Sequence, residues 1–238
     1  MKPVIYIFGA GRVGTALYHL FKFKFTTVLT HSRPCAAYHF SKGQIGSNDI
    51  VFICTPSKAI GPISEDLATT NALIVHCSGA DEIELIKADR KGIFYPLQTF
   101  SGQPVDFNKI PIFIQGQEIE LLQDICTTLN LNSFISSNEE RARLHLAAVF
   151  ANNFTNAILF ASQKVLGDLP MIHLLPLIEE TLKGDKLTNI AASQTGPAMR
   201  NDLKTIQKHL AALENTPDEK AVYELLTNYI QQNIKDKD

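Results

Sequence analysis

The feature that most narrows what this chain can fold into is Gly9-Ala10-Gly11-Arg12-Val13-Gly14, a G-x-G-x-x-G run between a β-branched and aromatic stretch, Val4 to Phe8, and a helical stretch, Thr15 to Phe21. Where a strand turns straight into a helix, the three glycines do different work: a tight turn, close approach of a ligand's phosphates, and packing of helix on strand. The helix start then turns its free N–H groups toward whatever lies over the loop. A further strand, Thr26 to Thr30, completes the strand, loop, helix, strand context in which this spacing holds a dinucleotide pyrophosphate. Gly9, Ala10, Gly11, Arg12, Val13 and Gly14 are therefore candidate cofactor-binding residues.

The end of that next strand selects the cofactor. A protein that holds a ribose 2′-OH places Asp or Glu there, but this chain reads Thr30-His31-Ser32-Arg33. Arg33 offers a charge-assisted donor and Ser32 a neutral one to a 2′-phosphate, so NADP(H) is expected over NAD(H), and the missing acid also counts against S-adenosylmethionine. Charge placement agrees. Residues 1–48 carry Lys2, Arg12, Lys22, Lys24, Arg33 and Lys42 and no acid, so +6 there leaves −8 for the remainder of a chain whose net charge is −2.

Further strands are expected at Ile50 to Thr55, Ala72 to His76, Gly92 to Tyr95 and Pro111 to Gln115, spaced for an α/β fold with a doubly wound Rossmann-type sheet. Ligands lie beyond the carboxyl ends of such strands. Thr55, Pro56 and Ser57 are expected to line the cofactor, while His76-Cys77-Ser78-Gly79 and Tyr95-Pro96-Leu97-Gln98-Thr99-Phe100 approach the nicotinamide and substrate.

Near Ser137 the pattern turns helical, which divides the chain into a dinucleotide-binding domain, 1–137, and an all-helical substrate and dimerisation domain, 138–238. Ser137 and Glu140 make a capping box, and the helix they open runs to about Leu166, apolar on nearly every side beyond Leu144 as a buried central helix would be. His145, Asn152 and Asn156 share one face, with Asn153 beside it, and need either a ligand or an interhelical hydrogen-bond network to satisfy them. Further helices are expected at Met171 to Lys183, Arg200 to Glu214 and Pro217 to Lys235. Arg200, Asp202, Thr205 and His209 form either a cluster closing the cleft or, for Asp202, a helix-start carboxylate.

A chain of 238 residues with 45% hydrophobic content has room for both domains. Its near-neutral charge gives no footprint for nucleic acid or an anionic membrane, and no run of about 18 apolar residues stands out, so neither partner is expected. The four cysteines show no metal-ligand spacing and read as reduced thiols of a cytoplasmic protein without a metal.

Taken together, G-A-G-R-V-G, H-C-S-G at 76–79, Y-P-L-Q-T-F at 95–100, H-L-A-A-V-F-A-N-N at 145–153 and T-G-P-A-M-R-N-D with Thr205 and His209 resemble the oxidoreductase family whose helical domain is the domain of unknown function number 2520. That family looks related to pyrroline-5-carboxylate reductase, ketopantoate reductase and the β-hydroxyacid dehydrogenases. The resemblance implies NADP(H), a helical domain of the 6-phosphogluconate dehydrogenase C-terminal type and a homodimer formed through it. The chain departs from the β-hydroxyacid dehydrogenases where they place a catalytic lysine four residues before an asparagine, since Ala148 and Val149 stand there. The expected catalytic residues are therefore His145 as proton donor, His76 as second choice, Asn152 to orient substrate and Ser78 at its carboxylate or the nicotinamide edge; Asn153, Asn156, Gln98 and Arg200 are candidate substrate contacts. The expected activity is hydride transfer to or from a small carbonyl or imine substrate, the alternative being a non-catalytic NADP(H) sensor.

Overall fold

The computed structural model describes residues 2–31 and 35–233. Strands and helices follow in the order β1 (Ile5–Phe8), α1 (Arg12–Phe21), β2 (Thr27–Thr30), α2 (Ala36–Lys42), β3 (Ile50–Ile53), α3 (Ser57–Leu67), β4 (Leu73–His76), β5 (Lys91–Pro96), β6 (Pro111–Gly116), α4 (Ile119–Thr128) and β7 (Asn132–Ile135). They build one seven-stranded sheet in the order β2-β1-β3-β4-β5-β6-β7. β1 to β5 run parallel, β6 is antiparallel to β5, and β7 is parallel to β6.

Side-chain alternation places the sheet between two cores. Ile5 and Ile7 pack with Leu17, Phe21, Phe52 and Phe94 on one face, whereas Tyr6 and Phe8 pack with Tyr38, Ile60 and Leu67 on the other. Strands buried on both faces read as continuous apolar runs, which is why the first strands are legible in the sequence. β7 is the exception: an edge strand, Asn132–Ile135, half exposed, it carries no apolar run to betray it. The α/β expectation thus takes the form of a mixed seven-stranded sheet. β1 lies between β2 and β3, so successive crossovers leave it in opposite directions and a crevice opens at the carboxyl ends of β1 and β3.

Beyond the sheet come α5 (Asn138–Ala148), a π-helical segment (Val149–Phe154), α6 (Thr155–Leu166), α7 (Leu175–Thr181), α8 (Gly184–Thr188), α9 (Leu203–Ala212) and α10 (Pro217–Asn233). The chain divides into two compact units, Met1–Phe154 and Thr155–Asp238. The capping box forms as expected, with Glu140 N donating to Ser137 Oγ at 3.1 Å and Ser137 N to Glu140 Oε2 at 2.9 Å. Two helical expectations change. The apolar stretch, residues 144–166, is not buried, since Leu146, Phe150, Phe160 and Val165 are 59–62% exposed. The run Asn138–Leu166 also meets the length and hydropathy of a membrane-spanning helix, with mean hydropathy 1.3 and none of its window buried, where the sequence reading found no such run. Apolar residues all round a helix show that something covers it, but not whether the cover is the same chain.

Candidate functional site

The crevice at β1 and β3 is built by glycines of two kinds. Gly9 sits at φ +117°, where a Cβ would lie 2.4 Å from the Cys54 carbonyl oxygen, and a Cβ on Gly14 would lie 1.8 Å from the Gly9 carbonyl oxygen. Packing alone demands both. Around Gly11 a Cβ would meet nothing within 4 Å, so the missing side chain opens the loop to the outside.

The helices that start at this crevice are left uncapped. Gly11 precedes α1 and Pro56 precedes α3 without a side-chain cap, and neither first turn carries an acid. α2, α4, α7 and α8 also start without a side-chain cap, whereas α5 and α9 are capped by Ser137 and Asp202. Free N–H groups on α1 and α3 are donors for an anion. Next to them the Thr55 hydroxyl is buried without a partner, and its methyl lies 3.2 Å from where a Gly9 Cβ would be. Such an orphan calls for an acceptor or donor from outside the chain, and the open Gly11, the free N–H groups and the Thr55 hydroxyl fit a dinucleotide phosphate. A groove of about 940 Å³ runs from Gly11 and Arg12 along α1, walled by Arg12, His19 and Lys24. Ser32 and Arg33 lie outside the described residues.

A separate cavity of about 400 Å³ gathers Tyr95, Gln98, Thr99, His145, Asn152 and Asn153, all within the first unit. Tyr95 Oη and His145 Nδ1 are 3.1 Å apart, with the rings edge to face. Burial raises the Tyr95 pKa above the ordinary phenol value, which keeps the hydroxyl protonated. Gly79 makes their meeting possible, because a Cβ there would lie 2.5 Å from Tyr95 Cζ and 2.8 Å from His145 Nδ1. Thr99 Oγ1 donates to Asn152 Oδ1 at 2.8 Å, which turns the Asn152 amide N–H groups away from Thr99 and makes them available to a ligand. Asn152 and Asn153 ride on the π-helical segment, a local widening of the kind that recurs at functional sites.

The other candidates are placed differently. His76 is fully buried; its Nε2 donates to the Glu82 carbonyl at 3.2 Å and its Nδ1 accepts from Ser78 N at 3.2 Å, so the neutral ring pins the β4 loop. Burial drives its pKa down to about 4. Ser78 Oγ accepts from Ala80 N and Asp81 N, closing the turn that carries Gly79. Cys54 and Cys77, at the ends of β3 and β4, lie with sulfurs 3.8 Å apart and are free thiols. Asn156 and Arg200 are exposed residues of the second unit. There Asp202 caps α9 by accepting from Thr205 N at 3.1 Å and Thr205 Oγ1 at 2.7 Å, and His209 pairs with Tyr223 Oη at 2.9 Å. The sequence reading flagged the Tyr95–Phe100 loop without singling out Tyr95 or Thr99, and missed Arg141 altogether. A phenol at a strand end looks like core until its partner across the fold is known.

The domain of unknown function DUF2520 matches residues 110–230, just over half of the chain. No curated protein matches. Among solved structures, BF3122 from Bacteroides fragilis, described as a "putative NADP oxidoreductase", is 29% identical over 97% of this chain and 98% of its own, with a TM-score of 0.84. A reductive aminase from Aspergillus terreus in complex with NADPH and ethyl levulinate is 13% identical over 100% of this chain and 97% of its own, at a TM-score of 0.69. An imine reductase from Myxococcus stipitatus in complex with NADP+ is 15% identical over 99% and 95%, at 0.63. The last two share the fold. With its profile seated on β6, β7 and the helices that follow, including the segment that carries His145, Asn152 and Asn153, the chain belongs to the DUF2520 family.

Proposed function

We propose that this chain is an NADP(H)-dependent oxidoreductase that transfers a hydride to or from a small carbonyl or imine substrate. The observation that carries the reading is the Tyr95–His145 pair in a cavity of the same unit that bears the uncapped glycine loop. The likeness to BF3122 over nearly the whole chain supports it, as do neighbours solved with NADPH and NADP+. In this reading residues 1–137 form the dinucleotide-binding domain and 138–238 the helical domain. Kinship with pyrroline-5-carboxylate reductase, ketopantoate reductase and the β-hydroxyacid dehydrogenases, and a helical domain of the 6-phosphogluconate dehydrogenase type, belong to the same proposal.

The residues divide the work by chemistry. The α1 N–H groups and Arg12 hold the pyrophosphate, the Thr55 hydroxyl and the start of α3 support it, and Arg33 with Ser32 takes the 2′-phosphate. Bound NADPH supplies the hydride. The Asn152 amide donates to the substrate oxygen or nitrogen, with Thr99 setting its orientation. His145 stands in for the lysine that Ala148 and Val149 cannot replace. Protonated, it gives Nδ1–H to Tyr95 Oη and keeps Nε2–H for the substrate; once Nε2 has lost its proton, Nδ1–H still donates to Tyr95 Oη and holds the ring in place. Tyr95 Oη accepts from Nδ1 in both states, so the ring need not turn when the proton leaves. His76 and Ser78 act as positioning residues for the Gly79 turn. The pair also favours catalysis over the sensing alternative, since a sensor needs no proton donor.

A fluorescence titration with NADPH and NADH, on wild type and Arg33→Ala, tests the cofactor assignment: NADPH is expected to bind more tightly, with the preference lost in the variant. NADPH consumption across 2-keto acids, 3-keto acids and cyclic imines tests the activity, and a His145→Ala variant that keeps full turnover removes the role given to His145.

A further inference from the structure

Arg141 is the largest fully buried side chain among the described residues, 1% exposed, on α5 one turn before His145. Its guanidinium makes three bonds, and every acceptor is neutral: Nη1 donates to Gln115 Oε1 at 2.5 Å, and Nη2 to the Asp81 carbonyl at 2.6 Å and Asn138 Oδ1 at 2.9 Å. Its Nε is buried without a partner, as is Asp81 Oδ2. A buried cation without a bonded carboxylate costs stability, and burial pulls the Arg141 pKa below its ordinary value. The carboxylates of Glu84, Asp81, Glu82 and Glu139 offset part of that cost without bonding to it, and an apolar side chain would fill the space but leave the three acceptors unpaired, so the arginine serves its bonds rather than packing alone.

The three bonds run to three different elements. Gln115 belongs to β6, Asp81 to the loop after β4, and Asn138 to the first turn of α5, where its Oδ1 also accepts from Ile83 N at 3.2 Å. The Asp81 loop is the one that carries Gly79, whose missing side chain lets Tyr95 meet His145. Residues four apart on a helix share a face, so a tether at Arg141 sets where His145 stands.

The geometry points to Arg141 as a positioning residue: its planar fork clamps α5 to β6 and to the Gly79–Asp81 turn, and that clamp holds His145 at hydrogen-bond distance from Tyr95. The functional weight of the clamp rests on the reading of the cavity as the reaction site; the clamp itself does not. Lysine keeps the charge and three N–H donors but gathers them on one nitrogen, so it lacks the planar fork that reaches Gln115 through Nη1 and Asp81 through Nη2.

The test uses the full chain with [13Cε1]histidine, the His145 signal being assigned by its loss in His145→Gln. In wild type, Tyr95→Phe is expected to displace that signal. In Arg141→Lys and Arg141→Met the same substitution is expected to displace it by less than about half as much, while NADPH affinity stays within about threefold. A full-sized displacement in folded Arg141→Met overturns the proposal. If that variant does not fold, Gln115→Ala, which removes the β6 acceptor and leaves the charge, decides it by the same comparison. A wild type that binds no NADPH sinks the oxidoreductase reading and leaves this comparison intact. Where turnover is found, kcat is expected to fall in Arg141→Lys with KM little changed, as for a group misplaced toward the transition state.

Discussion

At the scale of single residues, Gly79 and His76 behave in ways their letters do not announce. Gly79→Ala puts a methyl into the contact between Tyr95 and His145, with clearances of 2.5 and 2.8 Å in the native geometry. Thermal or urea unfolding is expected to show a loss of about 1–3 kcal/mol, the usual range for overpacking. His76 makes the fold sensitive to acid. Its folded pKa of about 4, depressed by burial, lies below the roughly 6.5 of an unfolded histidine, so the unfolded chain takes up the proton first. Stability is therefore full above pH 6.5 and falls as the pH drops toward 4, by up to roughly 3 kcal/mol from this group. Urea unfolding at pH 7 and pH 4.5 should show a smaller difference for His76→Gln, which keeps a neutral donor and acceptor; an equal difference in both proteins would assign the acid sensitivity elsewhere.

At the scale of elements, the glycine loop separates packing from binding. Gly11→Ala meets no atom within 4 Å, so it is expected to leave the melting temperature unchanged and to weaken NADPH binding about tenfold or more by blocking close approach of the pyrophosphate. Gly14→Ala, aimed at the Gly9 carbonyl, is expected to disturb the fold itself. Calorimetry and cofactor titration on the two variants separate the effects. Ser137→Ala removes the side-chain half of the α5 capping box and should cost about 1 kcal/mol in unfolding free energy. Legibility followed burial at this scale. β1 and β3 announce themselves by apolar runs, the capping box by two residues three apart, and the glycine loop by its spacing. β7 and the π-helical segment do not, since an exposed edge strand and a register change inside a helix leave little trace in the order of apolar residues.

At the scale of the whole molecule, the second unit is short of core. Among its described residues only Ala198, Ile206, Leu213, Glu219 and Thr227 are buried, while Phe160, Val165, Leu169, Ile172, Leu177 and Ile190 are 59–66% exposed. That much exposed apolar surface is characteristic of an interaction face, and a second copy of the chain is the occupant the resemblance implies. Light scattering after size exclusion is expected to give twice the mass of one chain, and Leu177→Asp to shift it toward the monomer; a wild-type monomer at micromolar concentration would sink the expectation.

Local signals alone carried the glycine loop, the expected cofactor, the α/β class and the change to helices near Ser137, because each depends on neighbours within a few residues: a turn that only glycine allows, a missing acid, a period of apolar positions, a cap. What only the tertiary structure decided is which polar groups meet. Tyr95 and His145 are 50 positions apart, Thr99 and Asn152 are 53, and Arg141 reaches Asp81 across 60. No periodicity links such pairs. They are brought together where α5 and the π-helical segment after it meet the ends of β5 and β6 and the loop after β4, which also places His145 at the wall of a cavity.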